Sequence, residues 1–359
     1  MPVVWLIDAY RAGERSQVRA LVQALGWPCE IRPLEYRQWD VITHLLPGGS
    51  LRGIQRASRE SLQPPWPDLV ISCGVRNEPV CRWIREQSGG RCRYVHIGRP
   101  WADPSAFDLV ITTPQYRVPE RPNVVRNTLT LHQVSQPRMA QGAAEWADAW
   151  RDLPRPFTGV MVGGDSGPFT LGPKAATRLA RQASQLAHDT GGSLLVTTSS
   201  RTSPRATGAL LNALDAPHYF HAWQPGGEAG AGGGNPYWGI LGTADRFIVT
   251  ADSIAMLSEA CASGKPVDMF DLGGMRPPAA GPRDFRLGGA LYQALIRWGW
   301  GPLTRDITLV HRELVASGRA AWLGEERQPR KTEVSGDMER ALRAVKALFD
   351  QLDTTCVLD

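Results

Sequence analysis

Five groups of residues in this chain have the types and spacing to bind an anion or to move a proton. Gly163-Gly164-Asp165-Ser166-Gly167 follows the apolar run Thr158 to Val162. Glycines there let the backbone approach an anion closely and take positive φ. Ser199-Ser200-Arg201-Thr202 follows a second such run, Leu194 to Thr198. Its arginine, flanked by hydroxyls, suits two oxygens of a diphosphate; equally, the loop suits a surface turn that caps the helix starting at Pro204. Ala251-Asp252-Ser253 follows Phe247 to Thr250 and opens a helix, which puts Asp252 or Ser253 at a corner where free N–H groups and a positive dipole end meet. Glu259 lies further along the same helix, either on a solvated face or as an acceptor for a hydroxyl. Asp8 and Glu14, after the first strand, are the carboxylates placed to act as a general base. His96 and His132 are alternatives, although a histidine inside a strand is more often a satisfied core residue.

What is missing narrows the chemistry. Neither GxxxxGK[ST] nor GxGxxG occurs, so nucleoside triphosphate hydrolysis has no support. No cluster has metal-ligand spacing, and a metal-independent reaction supported by helix dipole and arginine is expected, with no cofactor.

The elements that must position these groups read as alternating strands and helices. Val3 to Ile7 is a continuous apolar run of the kind found in buried parallel strands, and Asp8 to Ser16 reads as a polar loop before a helix at Gln17 to Leu25. Strands are expected at Glu30 to Leu34, Asp68 to Cys73, Arg93 to Ile97, Asp108 to Thr112 and Asn123 to Leu131, with a helix at Glu78 to Gln87. Arg52, Arg56 and Arg59 lie near Leu51, Ile54 and Leu62, in either a solvated helix or a membrane or acceptor contact. A helix at Ala143 to Trp150 leads to the Pro-rich stretch 153–156, after which the strand–helix pattern restarts. The Gly-rich insertion between Trp223 and Asn235 reads as a mobile loop or a tolerated insertion. Asn235 and Tyr237 contact either a base or sugar, or only their own turn. Beyond Asp271 the chain is Gly/Pro-rich until an amphipathic helix at Gly336 to Leu352. Strand, capped helix and strand within 245–272 imply a parallel sheet.

With 359 residues the chain has room for about two or three domains. Its 42% hydrophobic and 21% charged content are those of an ordinary globular protein, and no run of about 18 apolar residues exists to span a bilayer. The N-terminus carries no basic leader, so no signal peptide is expected. Net charge is +5, and arginine outnumbers lysine 36 to 4, which suits phosphate groups or anionic lipid headgroups but equally reflects a GC-rich coding sequence. No basic stripe points to nucleic acid. Six cysteines form no CxxC pair and suggest buried thiols in a cytoplasmic protein, with peripheral contact at the inner face of the membrane as a further expectation.

Ser253, Glu259, Ala260, Gly264 and Pro266 resemble the donor-site segment of GT-B glycosyltransferases. VGGDSGPF, TTSSRTSP, NPYWGIL and TADSIAMLSEACASGKPV, in that order, are similar to the mitochondrial-fission "elongated mitochondria" family and its bacterial relatives, which are named glycosyltransferases. The resemblance spans roughly Val3 to Leu272 and implies an α/β fold of GT-B type, two Rossmann-like domains with parallel sheets facing across a cleft. It implies an acceptor domain over 1–152, a donor domain over 157–290 and a helical segment over 291–359 whose last helix crosses back to the first domain. It also implies a sugar moved from a nucleotide-diphosphate donor to a lipid-linked or cell-envelope glycan. Gly163, Gly164, Ser200, Arg201, Asn235, Tyr237, Asp252, Ser253 and Glu259 would then serve the donor, Glu259 through a sugar hydroxyl, and Asp8 and Glu14 the catalysis. Relatives resemble Asp-Gly-Lys-Ala-Gly where this chain has Asp8-Ala9-Tyr10-Arg11-Ala12-Gly13, so Asp8 and Gly13 match while Tyr10 and Arg11 depart. Two rivals are a non-enzymatic membrane-associated adaptor on the same scaffold and a sugar-nucleotide epimerase.

Overall fold

The computed structural model describes residues 1–9, 11–37, 48–224, 234–275, 284–298, 304–329 and 336–353. Tyr10, residues 38–47 and most of the Gly-rich insertion, including Glu228, lie outside the described residues. The chain forms two units, one from residues 1–133 and 334–359, the other from 134–333.

Unit 1 is built on β1 (Val4–Ile7), β2 (Cys29–Arg32), β3 (Leu69–Cys73), β4 (Arg93–Ile97), β5 (Leu109–Thr112) and β6 (Val124–Arg126). All pairings are parallel, in the order β2-β1-β3-β4-β5-β6. Side chains alternate across a strand, and both faces of this sheet are covered. Val4 and Leu6 pack with Val18 and Leu21 of α1 (Ala12–Leu25), whereas Trp5 and Ile7 pack on the other face with Val80, Cys81 and Ile84. α2 (Arg56–Glu60) is a single short turn, and α3 (Glu78–Gln87) supplies that second cover. In the Arg-rich stretch Arg56 pairs with Glu60 at 2.8 Å, both exposed, and Arg59 donates to backbone carbonyls of Ile54 and Arg52.

Unit 2 begins with α4 (Gln136–Trp146), followed by β7 (Phe157–Met161), α5 (Pro173–Thr190), β8 (Ser193–Thr197), α6 (Pro204–Ala213), β9 (His218–His221), α7 (Tyr237–Thr243), β10 (Arg246–Thr250), α8 (Ile254–Ala262) and β11 (Val267–Phe270). Next come α9 (Leu287–Arg297), α10 (Thr308–Ala316) and β12 (Ala321–Trp322). Its sheet runs β12-β11-β10-β7-β8-β9, again parallel throughout. Gly264, at φ +80°, ends α8 in the left-handed conformation that glycine takes without penalty.

The units divide at Gln133 rather than in the Pro-rich stretch, because α4 packs on α7. A Cβ at Gly142 would lie 2.6 Å from the Trp238 carbonyl carbon, and one at Gly242 would lie 2.1 Å from the Met139 carbonyl oxygen. The helices therefore touch backbone to backbone. The final helix, α11 (Asp337–Asp353), belongs to unit 1, where Ala341 and Val345 are fully buried and Phe349 meets Trp27 edge-on at 5.3 Å. Its Asp337 carboxylate accepts the Thr128 and Leu129 N–H groups, each at 3.0 Å.

Several boundaries differ from the expected ones. α1 starts at Ala12, so Glu14 sits in a helix and not a loop, because a polar first turn shows no apolar periodicity. The strand expected over 123–131 is only three residues long, and the helix expected over 143–150 is the end of α4 plus a short 3-10 turn. Among the described residues, no helix is long and apolar enough to cross a membrane.

Candidate functional site

In unit 2 the strand order reverses between β7 and β10, and such a switch point opens a crevice beyond the carboxyl ends of the strands. Three loops leave the sheet there. Gly163 and Gly164 follow β7, Ser199 to Thr202 follow β8, and Ala251 to Ser253 follow β10. The sequence-predicted groups at 163–164, 199–202 and 252–253 are thus brought to one edge.

Gly163 is pinned from both sides. Its N–H donates to Thr250 Oγ1 at 2.7 Å, and its carbonyl accepts from Ser199 Oγ at 2.9 Å and from the Thr202 hydroxyl. Gly164 N–H donates to Asp252 Oδ2 at 2.9 Å, and Arg201 Nη1 pairs with the same oxygen at 2.8 Å while also donating to the Asp165 carbonyl at 3.1 Å. The glycines are needed for this approach: a Cβ on Gly163 would lie 2.3 Å from Asp252 Oδ2, and one on Gly164 would lie 2.0 Å from the Arg201 carbonyl. Positive φ is confined to Gly167 of this turn.

Asp252 is 1% exposed, and its Oδ1 has no hydrogen-bond partner among the described residues. A buried carboxylate is stabilised only when paired. The pair here is Arg201, which is 38% exposed and keeps part of its guanidinium in water. Ser253 sits at the N-cap of α8 without capping it by its side chain. Ser200 is exposed beside Arg201; the hydroxyls that organise the loop are those of Ser199 and Thr202. Sequence reasoning singled out this loop but not these two residues, whose type and position carried the same signal as Ser200.

A second cluster surrounds Glu259. This residue is 8% exposed on α8, and Tyr237, the first residue of α7, donates its hydroxyl to Glu259 Oε2. Burial first, and then the Glu259 charge, push the Tyr237 hydroxyl well above the ordinary tyrosine range. Asn235 Oδ1 accepts the Tyr237 N–H at 3.1 Å and so starts the helix that carries this tyrosine. Arg138 of α4 lies in the Glu259 field and stacks over the Trp238 ring at 3.8 Å. Burial lowers the Arg138 pKa, and Glu259 opposes that shift. Nothing in the sequence near position 259 signals an arginine from so distant a helix.

Asp8 follows β1 and Glu14 lies in the first turn of α1, after the corresponding switch point of unit 1 between β1 and β3. Asp8 Oδ2 pairs with Arg15 and Arg19 at 3.3 and 3.1 Å, and its Oδ1 accepts the Ala9 N–H at 3.0 Å. The Glu14 carboxylate lies over Gly74, where a Cβ would come within 2.7 Å of Oε2, and Arg11 is 3.8 Å away. Asn77 Nδ2 ties the strand ends together by donating to the carbonyls of Ile7, Asp8 and Cys73 at 3.2, 3.1 and 3.3 Å. His96 is a core residue, hydrogen-bonded to Tyr94 Oη at 3.0 Å and pushed down to a pKa of about 4 by burial. His132 is half-buried in unit 1. No cluster of three or more His, Cys, Asp or Glu suited to a metal ion occurs among the described residues.

The sequence profile described as mitochondrial fission ELM1 matches residues 12–281, which include every candidate residue except Asp8. The chain belongs to the mitochondrial fission ELM1 family. It is 28% identical over 239 residues to the mitochondrial fission protein ELM1 of Arabidopsis thaliana, covering 60% of this chain and 54% of that one. This ELM1-family chain therefore spans about half the length of the curated relative it matches. Among solved structures it is similar to the UDP-GlcNAc 2-epimerase of Methanocaldococcus jannaschii, with a TM-score of 0.50, 11% identity, and coverage of 96% of this chain and 99% of that one. It is also similar to a glycosyl transferase family 9 protein of Veillonella parvula, with a TM-score of 0.43, 9% identity, and 97% of each chain covered. The fold of this ELM1-family member is the GT-B type, with two Rossmann-like units.

Proposed function

We propose that unit 2 binds a nucleotide sugar and that the protein transfers its sugar to a lipid-linked or cell-envelope glycan acceptor without a metal ion. One observation carries this reading: at the β7/β10 switch point a glycine turn, a partly solvated arginine and the N-terminus of α8 converge, with the buried carboxylate of Glu259 on the same helix. The diphosphate would lie against the N-terminus of α8, with Ser253 and Arg201 as its side-chain partners and Gly163 and Gly164 as its floor. Glu259 would accept a sugar hydroxyl in the place Tyr237 holds, and Asn235 would keep α7 in position for that exchange. In unit 1, Asp8 and Glu14 are the carboxylates proposed to take the proton from the acceptor hydroxyl. Developing charge on the leaving diphosphate would be met by the helix dipole and Arg201.

One further reading has an observation behind it, and another is set apart by its product. The Arg201–Asp252 and Tyr237–Glu259 contacts occupy the groups a donor would need, as a scaffold kept only for binding a protein or membrane partner would allow. A sugar-nucleotide epimerase would act on the donor alone, so product without any acceptor would identify it.

Thermal unfolding against nucleoside diphosphates and nucleotide sugars tests the proposal. A ligand at about 100 times its Kd adds about 2.7 kcal/mol to the stability of the folded state. The expected result is a shift with one nucleotide that disappears in Glu259→Ala. No shift with any of them overturns the donor site and favours the adaptor.

A further inference from the structure

Phe285 is 80% exposed, Leu287 77%, Leu291 65% and Trp298 81%. At about 100° per residue, positions 287, 291 and 298 fall within roughly 40° of one another on α9 and its C-cap. They form one outward strip with Phe285 just before its start. The opposite side of the helix is fixed to unit 2. Gly289 lies against Pro168, where a Cβ would come within 2.9 Å of the carbonyl oxygen, and the Tyr292 ring packs on Gly167. Tyr292 Oη also accepts the Arg305 N–H at 3.0 Å. The strip is thus held on the same turn that begins with Gly163 and Gly164. Single exposed apolar residues are ordinary, but a contiguous group with a phenylalanine and a tryptophan marks a contact surface.

The charges beside the strip decide what it contacts. α9 contains no aspartate or glutamate; Arg297 is exposed at its end, whereas Arg286, before its start, is turned to the glycine turn, where it pairs with Asp165 at 3.3 Å and donates to the Gly167 carbonyl at 2.6 Å. The nearest preceding carboxylate, Asp284, is used at the start of α5, where it accepts the Lys174 and Ala175 N–H groups at 3.2 and 2.9 Å. Two copies meeting through this strip would bring their Arg297 side chains together with no acid on the helix to answer them. Aromatic residues at the ends, leucines between them and an exposed arginine beside the tryptophan are the composition of a helix that lies in a bilayer interface among anionic headgroups. We propose that α9 docks the protein on an anionic lipid bilayer through Phe285, Leu287, Leu291 and Trp298. Docking there would hold the glycine turn near the membrane plane, where a lipid-linked acceptor is found; that purpose rests on the transfer reading above, whereas the docking does not.

The test is co-sedimentation of the full chain, without nucleotide, with vesicles of phosphatidylcholine alone or mixed with phosphatidylglycerol. Binding to the anionic vesicles is expected to exceed that to phosphatidylcholine and to fall by about tenfold or more in Leu291→Ser/Trp298→Ser, and by less in Arg297→Glu. Both changes are on exposed side chains, and unchanged thermal midpoints would verify folding. No binding to anionic vesicles, or binding that neither variant alters, overturns the proposal. So does sedimentation velocity showing a dimer that the double variant dissolves while vesicle binding is absent. Because nucleotide binding is measured separately, failure of the membrane contact and failure of the donor site are distinguishable.

Discussion

Asp252 and Arg201 set the character of the candidate donor site. An acid in the corner where a diphosphate would sit would repel it, yet Arg201 and Gly164 neutralise that acid at hydrogen-bond distance. A phosphate would have to compete with Asp252 for the guanidinium. Asp252→Asn should therefore weaken the fold by about 1–3 kcal/mol through loss of a charged acceptor, and should tighten nucleoside diphosphate binding by freeing Arg201. Urea midpoints and calorimetric titration read the two effects, and weaker binding would assign Asp252 a direct ligand role. Gly164→Ala drives a methyl into the Arg201 carbonyl and should cost about 1–3 kcal/mol, together with nucleotide binding. At this scale the sequence showed which residues stand at the strand ends, because polar and glycine types after apolar runs are conspicuous. It did not show that they would pair with one another: the Tyr237–Glu259 bond and the nearness of Arg138 depend on how α4, α7 and α8 pack.

Strands and helices with a buried face were legible, since a parallel strand is a continuous apolar run and α3 repeats its apolar residues at helical spacing. α9, α10 and β12 were not. α9 is apolar on its outward side as well as its inner one, which hides the period, and a two-residue strand such as β12 leaves no pattern at all. α11 was legible as an amphipathic helix, but the cap that attaches it was not, because Asp337 serves N–H groups more than 200 positions earlier in the chain. Asp337→Ala leaves two backbone donors in the interior without their partner. It should destabilise unit 1 by about 1–3 kcal/mol or more, read as a lower denaturant midpoint for that unit with unit 2 unchanged. A uniform fall in both would mean that the units do not unfold separately.

Among the described residues each unit contains one fully buried imidazole. His96 in unit 1 and His311 in unit 2 are both pushed from 6.5 to about 4 by burial, and His311 Nε2 lies 2.6 Å from the Ala251 carbonyl beside the donor corner. Both are neutral in the folded state across a range where the unfolded chain binds a proton, so the stability they allow is full above pH 6.5 and is lost as pH falls towards 4. At pH 5 the loss should be about 2 kcal/mol per histidine, visible in denaturation midpoints at pH 7 and pH 5. A flat profile would show that the imidazoles gain protons without unfolding.

Unit 2 is an insertion within unit 1, and this fixes a timetable. A ribosome delivers all of residues 134–333 before it delivers α11, so the inserted unit can fold while its host still waits for the helix that covers Val4, Leu6, Val18 and Leu21. Until then that side of the first sheet stays partly open to water and to other chains. The interval before α11 emerges is the point in the protein's synthesis at which aggregation and chaperone capture compete most directly with folding.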